Sequence, residues 1–357
     1  MKRPCFTLLL TVSAVLLWVV TLTAIDCRAA DITLTYSIFF PSTHGQAKAA
    51  DAWAKEVEKR TQGRVKINLF YGGTLTQADQ CFDGVLNGIS DLGMSCFAYT
   101  RGRFPVMEAL DLPLGYPSGQ AATYVANGFY RRWQPRELGG VKLLYIHAHG
   151  PGLLHSVKPI RTLDELKGKK IRSTGLSAKV VTALGAIPVA MPQGGTYEAL
   201  QKGIVDGTFA PIETLKGWKQ AEVVKSTTEA TAVGYTTAMF VTMNLKKWNS
   251  LPPDIRKILE QVSEEWIDVH ARAWDDLDAE GRRYTLSLGN RIIPLSQAES
   301  RRWVKGVAPV VDEYVVASRS QGVNPEKAVR DIQASIKAFG KKKFSSYRQY
   351  KLATGVK

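Results

Sequence analysis

Regular alternation of strand-like and helix-like stretches restricts the fold of this chain more than any other feature. Residues Ile32–Ile38 alternate between apolar and polar side chains as a strand does, and Val65–Phe70 form a second such stretch. Between them, apolar residues recur at the spacing of one helix face, at Ala47, Ala50, Trp53, Ala54 and Val57. A further helix is predicted over residues 77–87 and a strand over 91–94. This alternation predicts an α/β fold in which a parallel sheet carries helices on both faces.

The first 30 residues have the features of a secretory signal peptide. Lys2 and Arg3 precede an apolar run over residues 8–20, and Cys27-Arg28-Ala29 has the small-x-small form of a cleavage site. The apolar run is too short to favour a retained membrane anchor, which is the alternative. Asp26, directly before Cys27, argues against lipidation. We therefore predict export of a mature chain that begins near residue 31.

The chain is strongly basic, with a formal net charge of +15. Without residues 1–30 it retains 44 basic and 31 acidic residues, a charge of +13. An exported chain rarely meets nucleic acid, so we predict no nucleic-acid partner. The remaining possible partners of the basic surface are anionic solutes, lipid headgroups or a membrane protein. The alternative is that the charge only keeps the surface solvated.

Export would also permit a disulfide between Cys81 and Cys96, the two cysteines that the mature chain retains. Two thiols in a chain of this length do not form a disulfide framework. We therefore expect both to be free, and a bridge is the less favoured alternative.

The segment from Thr162 to Gly175 carries the main candidate for ligand binding. Thr162 and Glu165 form a capping-box pattern, Gly168 is placed to end the short helix, and residues 169–173 alternate as a strand. Arg172 therefore lies near the carboxyl end of a strand, the edge at which ligands bind in open α/β sheets. Its planar guanidinium matches a carboxylate in bidentate fashion. The alternative is a surface arginine in a basic loop.

Loops after the predicted strands supply further candidates, because those loops gather at one edge. They are residues 41–44, 71–75 and 95–99, and we extend the candidate site to the loops near residues 149 and 209–218. Two glycines in the second loop, Gly72 and Gly73, would permit positive φ and close approach of a ligand. The complete set of predicted ligand-binding residues is Arg172, Phe39, His44, Gly73, Phe97, Tyr99, His149, Phe209, Glu213 and Trp218.

Motifs for catalysis or metal binding do not emerge from the sequence. His147, His149 and His155 have no interleaved acidic or thiol ligand. No Gly-x-Ser-x-Gly motif or pair of catalytic carboxylates can be read. We predict no metal, no cofactor and no enzymatic activity, with an exported α/β enzyme as the less favoured alternative.

Several phrases of the sequence, in order, resemble the substrate-binding proteins of tripartite ATP-independent periplasmic (TRAP) transporters. The strongest are Lys158-Pro159-Ile160 with residues 163–175, and Tyr197 to Gly207, which is close to the pattern YxALQxGxVDG of that family. Weaker matches are residues 72–75, 111–113 and 248–252. By this resemblance, Arg172 corresponds to the arginine that binds the ligand carboxylate in the family.

The resemblance implies a two-lobed, type II-like periplasmic binding protein fold with a ligand cleft between the lobes and a long helix spanning both. The helix is predicted from Pro253 to about Leu288, and two helices broken near Gly281 are the alternative.

The implied function is capture of an organic acid in the periplasm and its delivery to a TRAP membrane permease, by a chain that we expect to be a monomer. A ligand-sensing subunit of a signalling receptor is the alternative. The predicted domains are 1–30 as signal peptide, 31–149 with 238–278 as lobe 1, 150–237 with 279–320 as lobe 2, and 321–357 as a C-terminal helix and a basic tail. We expect the tail, residues 341–357, to be solvated, and a docking or lipid-contacting tail is the alternative.

Two departures from the family pattern bear on the ligand. The sugar-acid and C4-dicarboxylate binders of the family commonly place an asparagine before the proline, where this chain has Ala210, and a second arginine two residues after the glycine at position 150, where it has Gly152. Both replacements remove polar contacts. The resemblance therefore implies a monocarboxylate, aromatic or α-keto in kind, in place of a dicarboxylate.

Overall fold

The computed structural model describes residues 31–356, which form eleven strands and twelve α-helices joined by short 3₁₀ turns. The predicted signal peptide lies outside the described residues. The strands are β1 Ile32–Ile38, β2 Val65–Phe70, β3 Leu92–Cys96, β4 Val141–Ala148, β5 Leu153–Ser156, β6 Lys170–Ser173, β7 Ile187–Ala190, β8 Gly207–Ala210, β9 Ser226–Glu229, β10 Ala238–Asn244 and β11 Arg291–Pro294.

The helices connect the strands and pack on the two sheets. They are α1 Gly45–Arg60, α2 Cys81–Leu86, α3 Gly119–Trp133, α4 Leu163–Leu166, α5 Leu176–Ala183, α6 Thr196–Gln201, α7 Thr214–Gly217, α8 Leu245–Ser250, α9 Pro253–Ser287, α10 Gln297–Arg319, α11 Pro325–Lys341 and α12 Tyr347–Thr354. Within the described part of the chain, no helix is long and apolar enough to cross a membrane.

Two separate sheets define two lobes. The first sheet has the order β2-β1-β3-β10-β4, and the second has the order β11-β9-β5-β8-β6-β7. We call the first sheet with its helices lobe 1 and the second lobe 2. The chain crosses from lobe 1 to lobe 2 between β4 and β5, returns between β9 and β10, crosses again along α9, and ends in lobe 1 with α12.

Neither sheet is wholly parallel, which corrects the expectation from strand–helix alternation. β1 pairs in parallel with β2 and β3, but β10 is antiparallel to both β3 and β4. In lobe 2, β6 is parallel to β7 and β8, whereas β5 is antiparallel to β8 and β9. The antiparallel strands β5 and β10 directly follow the crossings between lobes, where the connection is short and contains no helix.

Helix α9 links the two lobes as one continuous element, as the resemblance implied. Its 35 residues span roughly 50 Å at 1.5 Å per residue. Pro253 in the first turn suits a helix start. The helix packs on α1, α3 and β4 of lobe 1 and, further along, on α7 and β11 of lobe 2. Gly281 does not break the helix. A Cβ there would lie 2.3 Å from the carbonyl oxygen of Ile212, so glycine permits close contact with the backbone of lobe 2.

The C-terminal segment differs from the solvated basic tail that we expected for residues 341–357. Residues Tyr347–Thr354 form α12, which Ser346 caps by accepting a hydrogen bond from the Gln349 N–H. Tyr347 and Tyr350 are buried in the core of lobe 1 together with Phe344. Aromatic residues three apart give this basic segment one apolar face, which is buried while Lys341, Lys342 and Lys343 stay exposed.

Cys81 and Cys96 are both free and buried, so the expectation of two thiols is confirmed. Burial in apolar surroundings raises the pKa of the Cys81 thiol to about 12 and that of Cys96 further. Neither is therefore a reactive thiolate at neutral pH.

Candidate functional site

A pocket lies between the two lobes, at the ends of strands from both sheets. It contains about 400 Å³ of empty space, part of it open to solvent. The residues that line it are Phe39, Phe40, Cys96, Tyr99, His149, Arg172, Thr174, Gln193, Phe209, Ala210, Pro211, Glu213, Thr214, Trp218, Tyr235, Thr237, Met239 and Trp274.

Arg172 is the one lysine or arginine among these lining residues, and the sheet of lobe 2 positions it. It lies next to last in β6, which is paired in parallel with both β7 and β8, and its side chain is only 3% exposed. Its Nε and Nη2 donate to the Met191 carbonyl oxygen at 3.1 and 2.8 Å. Within residues 31–356, no carboxylate forms an ion pair with Arg172 and Nη1 has no hydrogen-bond partner. A buried cation without a counter-charge is costly, so this guanidinium is suited to an anionic group that enters the pocket.

Aromatic rings form one wall of the pocket. Phe39, which follows β1, lies 6.1 Å between ring centroids from Trp218 in a stacked arrangement and 5.6 Å from Tyr99 in an edge arrangement. Phe40 lies 5.9 Å from Trp218. Because Phe39 and Phe40 belong to lobe 1 and Trp218 to lobe 2, this wall joins the lobes. It offers apolar, planar surface to the body of a ligand.

A second group of aromatic rings leaves no room for a side chain at position 152. Tyr235 stacks on Phe209 at 5.1 Å and meets the His149 ring edge-on at 5.7 Å. A Cβ on Gly152 would lie 1.8 Å from Cε1 of Tyr235, so residue 152 must be glycine while the tyrosine ring is there. The Tyr235 ring therefore fills the space that a side chain at 152 would need.

His149 contributes a neutral imidazole ring to the lining of the pocket. Its Nδ1 lies 2.5 Å from the Gly150 carbonyl oxygen, which can only accept, so Nδ1 carries the proton. Burial lowers the pKa of His149 to about 4, the hydrogen bond to Gly150 opposes this, and the charge of Arg172 adds to the lowering. At neutral pH the ring is uncharged, and its Nε2 has no hydrogen-bond partner among residues 31–356.

His44 and Glu213 form a buried contact from lobe to lobe. His44 caps α1, where its Nδ1 accepts from the Gln46 N–H at 3.1 Å. Nε2 therefore carries the proton and donates to Oε2 of Glu213 at 2.8 Å. Glu213 is 2% exposed, and its backbone N–H donates to Asp278 of α9 at 3.2 Å.

Seven of the ten predicted site residues line this pocket, and three do not. The seven are Phe39, Tyr99, His149, Arg172, Phe209, Glu213 and Trp218. His44 lies behind Glu213 and reaches the pocket only through it. Gly73 has the expected positive φ of 72° but lies in the loop after β2, away from the pocket.

Phe97 points into the core, against the prediction that it walls the pocket. It packs on Phe104 at 5.0 Å and on Phe240 at 5.3 Å, because the 3₁₀ turn Phe97–Tyr99 turns its first and last side chains to different sides.

The prediction from sequence missed other lining residues, chiefly Phe40, Gln193, Tyr235 and Trp274. Trp274 belongs to the buried face of α9, where helical spacing is typical of core packing. Tyr235 lies in the irregular return to lobe 1, which carries no motif. Only Phe40, beside Phe39 at the end of β1, had a usable indication in its position.

The two sheets, the chain crossings between the lobes and the interlobe pocket define a two-lobed solute-binding protein. The chain belongs to the bacterial extracellular solute-binding protein family 7, also called DctP, whose sequence profile matches residues 36–317. Solute-binding proteins of TRAP systems bind small organic acids and work with membrane permeases.

Individual relatives cover most of the chain. The monocarboxylate 2-oxoacid-binding periplasmic protein of Nostoc is 25% identical over 321 residues, 88% of this chain and 85% of the relative. A TRAP solute-binding protein of Rhodoferax ferrireducens, solved with copurified benzoate, is 27% identical with a TM-score of 0.82, covering 87% of this chain and 98% of that one. One of Bordetella bronchiseptica, solved with both enantiomers of mandelate, is 28% identical with a TM-score of 0.80, covering 86% and 99%.

Proposed function

We propose that this protein captures a small monocarboxylate with an aromatic or otherwise apolar body, holding the carboxylate on Arg172. The observation that carries the proposal is the buried guanidinium, which has no anionic partner within residues 31–356. A ligand carboxylate supplies the missing charge through a charge-assisted, paired hydrogen bond. The ligands of the Rhodoferax and Bordetella relatives, benzoate and mandelate, have this chemistry.

The pocket favours one carboxylate over two. Arg172 is its one cationic side chain, and the Tyr235 ring excludes any side chain at Gly152. A second carboxylate would lose its hydration without gaining a partner, which costs several kcal/mol in a buried site. We therefore expect succinate-like diacids to bind more weakly than aromatic monocarboxylates.

We further propose that the protein acts in the periplasm as a monomer, without catalysis, and hands its ligand to a TRAP permease. The signal-like residues 1–30 and the family support export and delivery. The ten predicted residues divide in this proposal into seven that contact or enclose ligand, His44 as a support for Glu213, and Gly73 and Phe97 as structural residues.

Calorimetry with benzoate, phenylacetate, mandelate and succinate tests the proposal on wild type, Arg172→Ala and Arg172→Lys. Loss of a buried charge pair costs about 3–5 kcal/mol, so Arg172→Ala should weaken the best ligand by roughly two to four decades. Arg172→Lys should also bind poorly, because a point charge does not reproduce the planar fork. Arg161→Ala, on an exposed arginine of the same lobe, is the matched control and should bind as wild type does.

A surface role for Arg172 predicts another outcome. Its removal would then change the dissociation constant by less than about threefold, and the effect would vanish in high salt, where exposed charges are screened. That result, with folding verified by circular dichroism, would refute Arg172 as the carboxylate anchor.

A further inference from the structure

One oxygen of Glu213 is left for the ligand. Oε2 accepts from His44 Nε2–H at 2.8 Å, and a Cβ on Gly217 would lie 2.6 Å from that same oxygen, so Oε2 is enclosed on the side away from the pocket. Oε1 accepts no hydrogen bond from any of residues 31–356, although Glu213 is 2% exposed and lines the pocket. The carboxylate therefore presents an unused acceptor to whatever fills the pocket.

The surroundings of Glu213 hold it in this orientation. His44 Nδ1 is occupied as the cap of α1, which fixes the proton on Nε2 and so fixes Oε2 as its acceptor. The backbone N–H of Glu213 is bonded to Asp278 of α9. No lysine or arginine forms an ion pair with Glu213 among the described residues, so no cationic side chain occupies its second carboxylate oxygen.

We propose that Glu213 is a specificity-determining residue, and that the ligand carries a hydroxyl or amino donor for its Oε1 in addition to the carboxylate held by Arg172. The proposal rests on the proposed function of the same pocket. An acid without a donor leaves a buried carboxylate oxygen unpaired, which a site built on hydrogen bonds penalises strongly. An acid with a second carboxylate near Glu213 meets like-charge repulsion.

Phenylacetate and its 3- and 4-substituted hydroxy, methoxy and carboxy derivatives test this by calorimetry. The ring substituents differ in one property each: hydroxyl donates, methoxy only accepts, and carboxyl is anionic. In wild type, one of the hydroxy acids should bind at least about tenfold tighter than phenylacetate, as expected for a hydrogen bond to a charged acceptor. The methoxy and carboxy derivatives should bind no tighter than the parent acid.

Glu213→Gln changes the pocket in a defined way. The carboxamide oxygen still has to accept from His44 Nε2–H, so the amide NH₂ turns toward the pocket and a donor replaces the acceptor. The hydroxyl advantage should fall below about threefold, and the carboxy derivative should gain at least about tenfold relative to the hydroxy acid, because the repelling charge is gone. Glu198→Gln, on an exposed glutamate of lobe 2 that pairs only with Lys202, is the matched control and should keep the wild-type ratios.

The possible outcomes separate this inference from the proposed function. If phenylacetate binds through Arg172 but neither hydroxy acid binds more tightly than phenylacetate, the inference is wrong and the proposed function stands. An undiminished hydroxyl advantage in Glu213→Gln also overturns the inference. If no acid binds to wild type and Arg172→Ala changes nothing, both are wrong. Should Glu213→Gln fail to fold, the wild-type comparison of hydroxy, methoxy and carboxy acids still decides.

Discussion

Trp218 is the residue at which the pocket should distinguish aromatic acids from small ones. Its half-buried indole stacks over Phe39 across the lobe boundary, so an aromatic ligand bound at Arg172 gains both apolar burial and ring contacts.

We expect Trp218→Ala to weaken benzoate or phenylacetate by about tenfold or more, and a small 2-oxo acid by less than about threefold, because the small acid buries little against the ring. Trp218→Phe keeps an aromatic face and should recover most of the loss. Fluorescence or calorimetric titration of the two ligand classes measures this, and equal losses for both would show that Trp218 only packs the interlobe boundary.

Single residues also show how far sequence reasoning reaches. Arg172 could be placed because helix end, glycine and strand are consecutive, so local rules put the guanidinium at a strand end. Phe97 and Tyr99 could not be told apart, because the turn that separates them is set by packing on Phe240 of a distant strand. The Gly152–Tyr235 contact joins residues 83 positions apart, and no local pattern encodes it.

At the scale of elements, α12 shows a segment that docks instead of remaining solvated. Tyr350 is fully buried and packs edge-on against Phe344 and at 5.9 Å from Tyr124 of α3. Leu352, on the same helix, is 78% exposed.

Tyr350→Ala should therefore lower the free energy of unfolding by about 3–5 kcal/mol, the range for a buried aromatic side chain, whereas Leu352→Ala should change it by less than about 0.5 kcal/mol. Urea unfolding followed by circular dichroism measures both. Equal, small effects would mean that α12 contributes little to lobe 1.

Elements were predictable where one pattern spans the whole element. Helix α9 was recognised from its 3.6-residue period and its opening proline, and the structure confirms one helix. The antiparallel direction of β10 could not be predicted, because the sequence pattern of a buried strand is the same in either direction. Its partners, β3 and β4, also come much earlier in the chain. The tail was misread because its basic composition hid the spacing of its aromatic residues.

At the scale of the whole molecule, the two lobes are in contact across the pocket. The Gln193 backbone N–H in lobe 2 donates to the Tyr99 hydroxyl in lobe 1 at 3.1 Å, and the His44–Glu213 bond closes the same boundary nearby. These contacts describe a closed arrangement. We propose that the lobes open by hinging at the crossings near residues 150 and 238, with α9 bending or pivoting between them.

Ligand should therefore make the protein more compact. Small-angle scattering of wild type should give a smaller radius of gyration with a saturating tight ligand than without it, because the ligand adds contacts only in the closed form.

Tyr99→Phe removes one hydrogen bond of the closed form and should weaken ligand binding by about two- to tenfold, the value of a single hydrogen bond, without loss of the carboxylate anchor. Tyr197→Phe is the matched control, since its hydroxyl bonds Glu222 within lobe 2 and should not affect closure. Identical scattering with and without ligand would contradict the hinged mechanism, and equal affinities of the two tyrosine variants would contradict the role of Tyr99 in closing the cleft.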